Sequence, residues 1–181
     1  VGVDGRCAAA IGLGDPIRDD VPTALKQLSM LGWQPHILSG DHAAVVRAVG
    51  RQLGVPDERT AGGVAPEEKV AAIEALAAGG RTVMVGDGVN DAAALSAATV
   101  GIAVHGGAEA SLAAADVYLS RAGLTPIVDL VRAARNTVRT IHRSLIASLC
   151  YNAIAATLAI LGLIGPLTAA ILMPISSFTV L

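Results

Sequence analysis

Aromatic side chains are scarce in this 181-residue chain, where one Trp, two Tyr and one Phe make up 2% of the sequence. Cysteine is nearly absent too. Cys7 and Cys150 lie far apart, which excludes a disulfide framework and a paired Cys-x-x-Cys metal site. The net charge of −2 lacks the basic excess that general nucleic-acid binding requires. Charge is also missing from one end: none of the 38 residues after Arg143 is Asp, Glu, Lys or Arg. A bilayer span takes about 20 apolar residues, so this stretch suffices for one span and most of a second. No signal-peptide pattern opens the chain, because Asp4 and Arg6 interrupt it. The first residue is Val1 rather than Met and the chain starts in strand-like sequence, so it reads as an interior fragment.

What is present before residue 125 is a repeating unit of apolar strand, short polar turn and helix. Residues 1–13 suggest a hairpin-like entry around Asp4, Gly5 and Arg6, with 8–13 as a strand. Asp19 or Asp20 can cap a helix that carries Leu25, Leu28 and Leu31 and stops at Gly32. A strand at 34–38 and a helix ending at Gly54 follow. Residues 55–64 read as a loop, and Pro66, Glu67, Glu68 and Lys69 open the next helix, acidic early as the helix dipole favours. Strands at 82–85, 100–104 and 117–119 complete the series. Such alternation predicts an α/β fold, a parallel sheet with helices on both faces. From Thr125 the texture changes. Arg132, Arg135, Arg139 and Arg143 share one broad helical face, and no breaker separates them from the apolar residues 144–161. One continuous helix entering a bilayer is expected, then a turn at 162–166 and a second span over 167–181. The three segments are 1–124, 125–143 and 144–181. Arginines before the first span put the soluble part on the cytoplasmic side of a multi-pass plasma or inner membrane protein.

The chemistry centres on residues 82–95, TVMVGDGVNDAAAL. Gly86 and Gly88 permit a tight turn that sets Asp87 at the strand's carboxyl end, Asn90 is placed as the helix N-cap, and Asp91 falls in the first turn. Asp87 and Asp91 then converge in the crevice where open α/β sheets bind ligands. Two hard carboxylates suit Mg²⁺, which keeps several waters. The plainer reading is a tight turn and a helix cap. Two further turns, at Asp15 and at Ser39-Gly40-Asp41, follow strands on the same edge, and Lys69 starts a helix. A hydroxyl, a fixed cation and Mg²⁺ are what phosphoryl transfer asks for. Taken singly, Ser39 could be a helix cap and Lys69 a solvated charge. His36, His42, His105 and His142 stand alone, and only His42 adjoins this edge.

GDGVNDAAAL resembles the magnesium-site signature of P-type ATPases, within the haloacid dehalogenase-like phosphotransferases. SGD at 39–41 resembles the family's TGD, PEEK at 66–69 its P-x-x-K, and GDPIRDD at 14–20 its D-x-x-R stretch. The resemblance implies a haloacid dehalogenase-like Rossmannoid fold over about the first 120 residues, with Ser39, Gly40, Asp41, Lys69, Asp87, Asn90 and Asp91 at the catalytic site and Mg²⁺ on Asp87 and Asp91. It also implies an aspartate in a DKTGT motif, phosphorylated from ATP held by a nucleotide domain. No DKTGT occurs here, so both parts are expected upstream in the remainder of the same pump and the fragment alone is expected to be inactive. In copper pumps the last two spans carry Tyr-Asn and Met-x-x-Ser-Ser, similar to Tyr151-Asn152 and to Met173, Ser176 and Ser177. The resemblance thus implies a heavy-metal pump exporting Cu(I), embedded in membrane lipid. A Met in an apolar helix is otherwise packing, and Ser pairs otherwise serve helix contact. Two other classes stay open: a soluble haloacid dehalogenase-like phosphatase, against which the uncharged tail counts, and a non-catalytic membrane-anchored fragment.

Overall fold

The computed structural model describes residues 2–3, 6–7, 16–87, 89–107, 109–165 and 168, with backbone only at 2, 3, 6, 7, 89 and 110–112. Two compact units result, Val1–Val128 and Asp129–Leu181.

In the first unit, β1 (Gly2–Val3) and β2 (Arg6–Cys7) pair antiparallel as the expected hairpin. The strand expected at 8–13, and Asp15, lie outside the described residues. Helix α1 (Val21–Met30) follows, and Gly32 at φ 84° provides the left-handed residue that ends it. Strand β3 (Ile37–Ser39) leads into α2 (Ala43–Gln52). The expected loop at 55–64 is instead a 3₁₀ turn, Asp57–Arg59, and a strand, β4 (Thr60–Gly62), parallel to β3 in the register Ile37 to Thr60 and Ser39 to Gly62. Three residues ending in glycine show no alternation of their own; the partner strand makes them a strand.

A second parallel sheet holds β5 (Val83–Gly86), β6 (Val100–Ala103) and β7 (Val117–Tyr118) in that order. Its connections carry α4 (Ala92–Ala97) and α5 (Glu109–Ala114), while α3 (Pro66–Gly79) leads into β5. The two-residue period of β5 divides its side chains between two cores. Met84 joins Ile73, Ala94 and Leu95 of α3 and α4, whereas Val83 and Val85 pack against a cluster of Ile102, Leu119 and Ile127 that also takes Leu28 of α1. Helices therefore cover both faces, as the alternation predicted. Leu38 of β3 packs on the Met84 cluster, yet no hydrogen bond joins β3 to β5 among the described residues.

Helix α6 (Thr125–Ile160) begins in the first unit, where Ile127 and Val128 are buried. Of the two acids that could cap α1, Asp19 and Asp20, it is Asp20 that holds the N-cap position, but its side chain makes no cap bond. Its Oδ2 instead accepts from the Leu124 N–H at 2.7 Å, the Thr125 N–H at 3.0 Å and the Thr125 hydroxyl at 3.2 Å. These are orphan donors at the start of α6, where a negative charge is favoured.

In the second unit α6 runs on unbroken, with Val138, Ile141, Leu145, Ile146, Leu149 and Ile154 exposed. By length and composition it can cross a membrane. Gly162 at φ 72° closes it, with the Leu163 N–H donating back to the Leu158 carbonyl at 2.9 Å. The second span, 167–181, lies outside the described residues apart from residue 168.

Two predictions follow from this packing. A methyl at Gly101 would stand 2.7 Å from the Leu95 carbonyl oxygen, a backbone atom that cannot rotate away. Gly101→Ala should cost about 1–3 kcal/mol in urea unfolding, and an unchanged midpoint would show that α4 can yield. The Thr125 N–H, foremost among its partners, holds the Asp20 carboxyl below its ordinary 3.8, against an opposing push from burial. A carboxyl lowered on folding contributes stability above pH 3.8 and loses it as pH falls through the lowered value. The stability gap between wild type and Asp20→Asn should accordingly be constant near neutrality and close in acid; a gap that persists to the lowest pH would contradict this.

Candidate functional site

The carboxyl ends of β3 and β5 each deliver a polar turn. After β3, the Ser39 hydroxyl donates to Asp41 Oδ2 at 2.9 Å and accepts from the Asp41 N–H at 3.2 Å, closing the turn on itself. The turn is backed by the end of β4: the Gly63 N–H donates to the Asp41 carbonyl at 2.7 Å and the Val64 N–H to the Ser39 carbonyl at 3.0 Å. Gly62 makes this approach possible, since a Cβ there would lie 2.7 Å from Ala43 Cα and 2.9 Å from the Asp41 carbonyl oxygen. Ser39 does not cap α2. His42 does, with Nδ1 accepting from the Ala44 N–H at 3.3 Å. Gly40 is exposed at the tip.

Lys69 and Asp91 meet below the second turn. Pro66 starts α3 at a position that needs no N–H, Glu68 returns to accept from the Ala65 N–H at 2.8 Å, and the following residue, Lys69, points inward. Its Nζ lies 2.8 Å from Asp91 Oδ1, with side chains only 14% and 12% exposed. It is no solvated charge. Gly86 admits the carboxylate, for a Cβ there would sit 2.8 Å from Asp91 Cβ and 3.0 Å from its Oδ2. The N-cap of α4 is Asp91, not Asn90: a 3₁₀ turn at Val89–Asp91 takes up the first turn and leaves Asn90 exposed within it. Asp91 makes no side-chain cap bond because Lys69 holds it. Asp87, just past β5, is exposed, and the backbone of Gly107 closes against it, with a Cβ at Gly107 falling 3.1 Å from the Asp87 carbonyl oxygen.

Tyr151 is half-buried and Asn152 exposed on α6, next to the exposed free thiol of Cys150. Met173, Ser176 and Ser177 lie outside the described residues.

Residues 2–99 match the haloacid dehalogenase-like hydrolase family. The chain belongs to that family. Curated relatives of the chain include copper- and cation-transporting P-type ATPases. It is 40% identical to copper-transporting ATPase 1 of Rhizobium meliloti (strain 1021), across 96% of this chain and 21% of the relative. It is 35% identical to the copper-exporting P-type ATPase of Bacillus subtilis (strain 168), across 99% of this chain and 22% of the relative. The chain thus spans about a fifth of the length of these curated relatives. The crystal structure of a zinc-transporting PIB-type ATPase in the E2.Pi state matches with a TM-score of 0.86 and 32% identity, over 92% of this chain and 27% of that one.

The haloacid dehalogenase-like site fits a divalent cation such as Mg²⁺. Asp87 presents an exposed carboxylate at the strand end, and Asp91 keeps Oδ2 beside Gly86 while Lys69 neutralises its Oδ1. Among the described residues no three His, Cys, Asp or Glu cluster as a metal site, so the protein offers at most these two carboxylates here. One or two carboxylates are the number Mg²⁺ uses when waters and a phosphate complete its shell.

Removing one member of a nearly buried ion pair strands the other charge. Lys69→Met should destabilise the chain by about 3 kcal/mol, and Lys69→Met with Asp91→Asn should recover part of the loss. Purely additive losses in thermal unfolding would mean that the pair is not coupled.

Proposed function

We propose that this chain is the C-terminal part of an ATP-driven heavy-metal pump that forms and hydrolyses an aspartyl-phosphate and exports Cu(I). One observation carries the proposal: the Lys69–Asp91 pair lies against Gly86, the end of β5 that leads into Asp87, in the same chain as a membrane-length apolar helix. On this reading residues 1–124 are part of the phosphorylation domain, 125–143 a basic stalk, and 144–181 two spans with the soluble part cytoplasmic.

Each group then has a task. Lys69, held by Asp91, is a fixed cation toward a phosphoryl oxygen, and the Ser39 hydroxyl with the turn's backbone holds another. Asp87 and Asp91 would hold Mg²⁺, which when bound would supply positive charge against the transferring phosphoryl group. Asn90, exposed in the 3₁₀ turn that follows Asp87, is a further polar side chain for that phosphate. The acceptor aspartate and the ATP-binding domain belong to the rest of the pump. We place the strand bearing that aspartate between β3 and β5, which share the Leu38–Met84 core without pairing. Tyr151 and Asn152, with Met173, Ser176 and Ser177, line the path of the transported ion, where methionine's soft thioether favours Cu(I). The copper-transporting relatives support that metal, and the zinc-transporting structure makes it worth testing.

In the full-length pump Asp87→Asn should lower acid-stable phosphoenzyme from ATP by about 100-fold or more, and an undiminished level would remove the Mg²⁺ role. Metal-stimulated ATPase activity with Cu(I), Zn²⁺ and Co²⁺ should be greatest with Cu(I); no response to Cu(I) would end the copper assignment.

A further inference from the structure

The carboxylate of Asp20 is spent on a task that its own helix does not need. It sits at the N-cap position of α1, where its backbone carbonyl accepts from the Ala24 N–H at 2.9 Å, but its side chain turns to the start of α6, about 100 residues later in the chain. One oxygen gathers three donors there, the N–H groups of Leu124 and Thr125 and the Thr125 hydroxyl. The receiving surface is shaped for it. Gly123, at φ 98°, adopts a conformation that favours glycine, and a Cβ at that position would collide with Asp20 Oδ2 and come within 3.0 Å of its Cγ. The notch and the three donors together fix one carboxylate in one orientation.

The apolar contacts nearby cannot do this. Ile127 packs against the same cluster as Leu28 of α1, which holds the two helices together. Hydrophobic contact is non-directional, however, and leaves a helix free to roll or slip along its neighbour. Hydrogen bonds to a single oxygen fall off steeply with angle and set the register. The helix so held is one unbroken element of 36 residues that carries the membrane-length apolar run.

We propose that Asp20 is a positioning residue for energy coupling: it locks the first turn of α6 to the start of α1, so that rearrangement of the phosphorylation domain is delivered to the membrane helix instead of being lost as slip. This inference rests on the pump function proposed above. Asp20 touches neither phosphate nor metal in this scheme.

The test uses the full-length pump in proteoliposomes, with phosphoenzyme formation from ATP and Cu(I) transported per ATP hydrolysed measured side by side. Asp20→Ala should form phosphoenzyme at the wild-type level while transport per ATP falls about tenfold, the size expected for losing hydrogen bonds to a charged acceptor. Asp20→Asn, which keeps one acceptor oxygen, should fall between the two. Transport per ATP unchanged in Asp20→Ala overturns the proposal, and so does loss of phosphoenzyme in proportion to transport, which would make Asp20 a structural residue of the catalytic unit. If Asp20→Ala does not fold, Thr125→Val decides: it deletes one of the three donors, and coupling equal to wild type overturns the proposal. A wild-type pump that forms no phosphoenzyme at all would instead sink the pump function itself, a result that none of these variants can mimic.

Discussion

A lysine ammonium and a carboxylate held 2.8 Å apart, both largely withdrawn from water, form the constraint on which the site depends. Such a pair repays its desolvation only with good geometry. Here the geometry is shared among three elements: the first turn of α3 brings Lys69, the 3₁₀ turn ahead of α4 brings Asp91, and the side-chain-free end of β5 makes room for both. The two core helices are thereby tied to the strand end that carries Asp87. A cation placed this way offsets the buried acid, and in the proposed function it is the charge offered to a phosphate.

The sheet explains why those elements can meet. Alternation along β5 sends Met84 toward α3 and α4 and its neighbours toward α1 and the start of α6, so one four-residue strand sits between two cores. The polar turns are left at its carboxyl edge, because parallel strands with right-handed crossovers return every connection to the same side. The family match and the likeness to a metal-transporting ATPase structure agree with that arrangement.

Much of this could be read from residue order, and what escaped has physical reasons. The string from Thr82 to Leu95 has its own local logic of apolar run, glycines, acids and helix formers, and the helix and strand appear close to where that logic puts them. The helix boundary moved by one residue because a 3₁₀ turn takes up Val89–Asp91, and there Asp91 gives its carboxylate to Lys69, a partner 22 positions away. β4 was illegible because three residues acquire strand character only from β3; the paired glycines at 62 and 63 were the available hint of close backbone approach. Asp20 misled in the same manner. A local rule assigns an acid ahead of a helix to that helix, whereas its donors come from Leu124 and Thr125. Continuity of α6 was legible, since no proline or glycine interrupts it after its second residue.

Gly62, Gly86 and Gly101 share a property that bears on how such a chain can diverge. Each faces close-lying atoms of a neighbouring segment, and at Gly62 and Gly101 those include main-chain atoms within 3 Å of where a Cβ would stand. Glycine and alanine codons differ by a single base, so alanine is among the commonest changes that mutation offers at these sites. No rotamer choice can relieve a clash with a peptide group. Descendants that preserve this architecture are therefore free to drift across its exposed helices while these bare positions stay fixed.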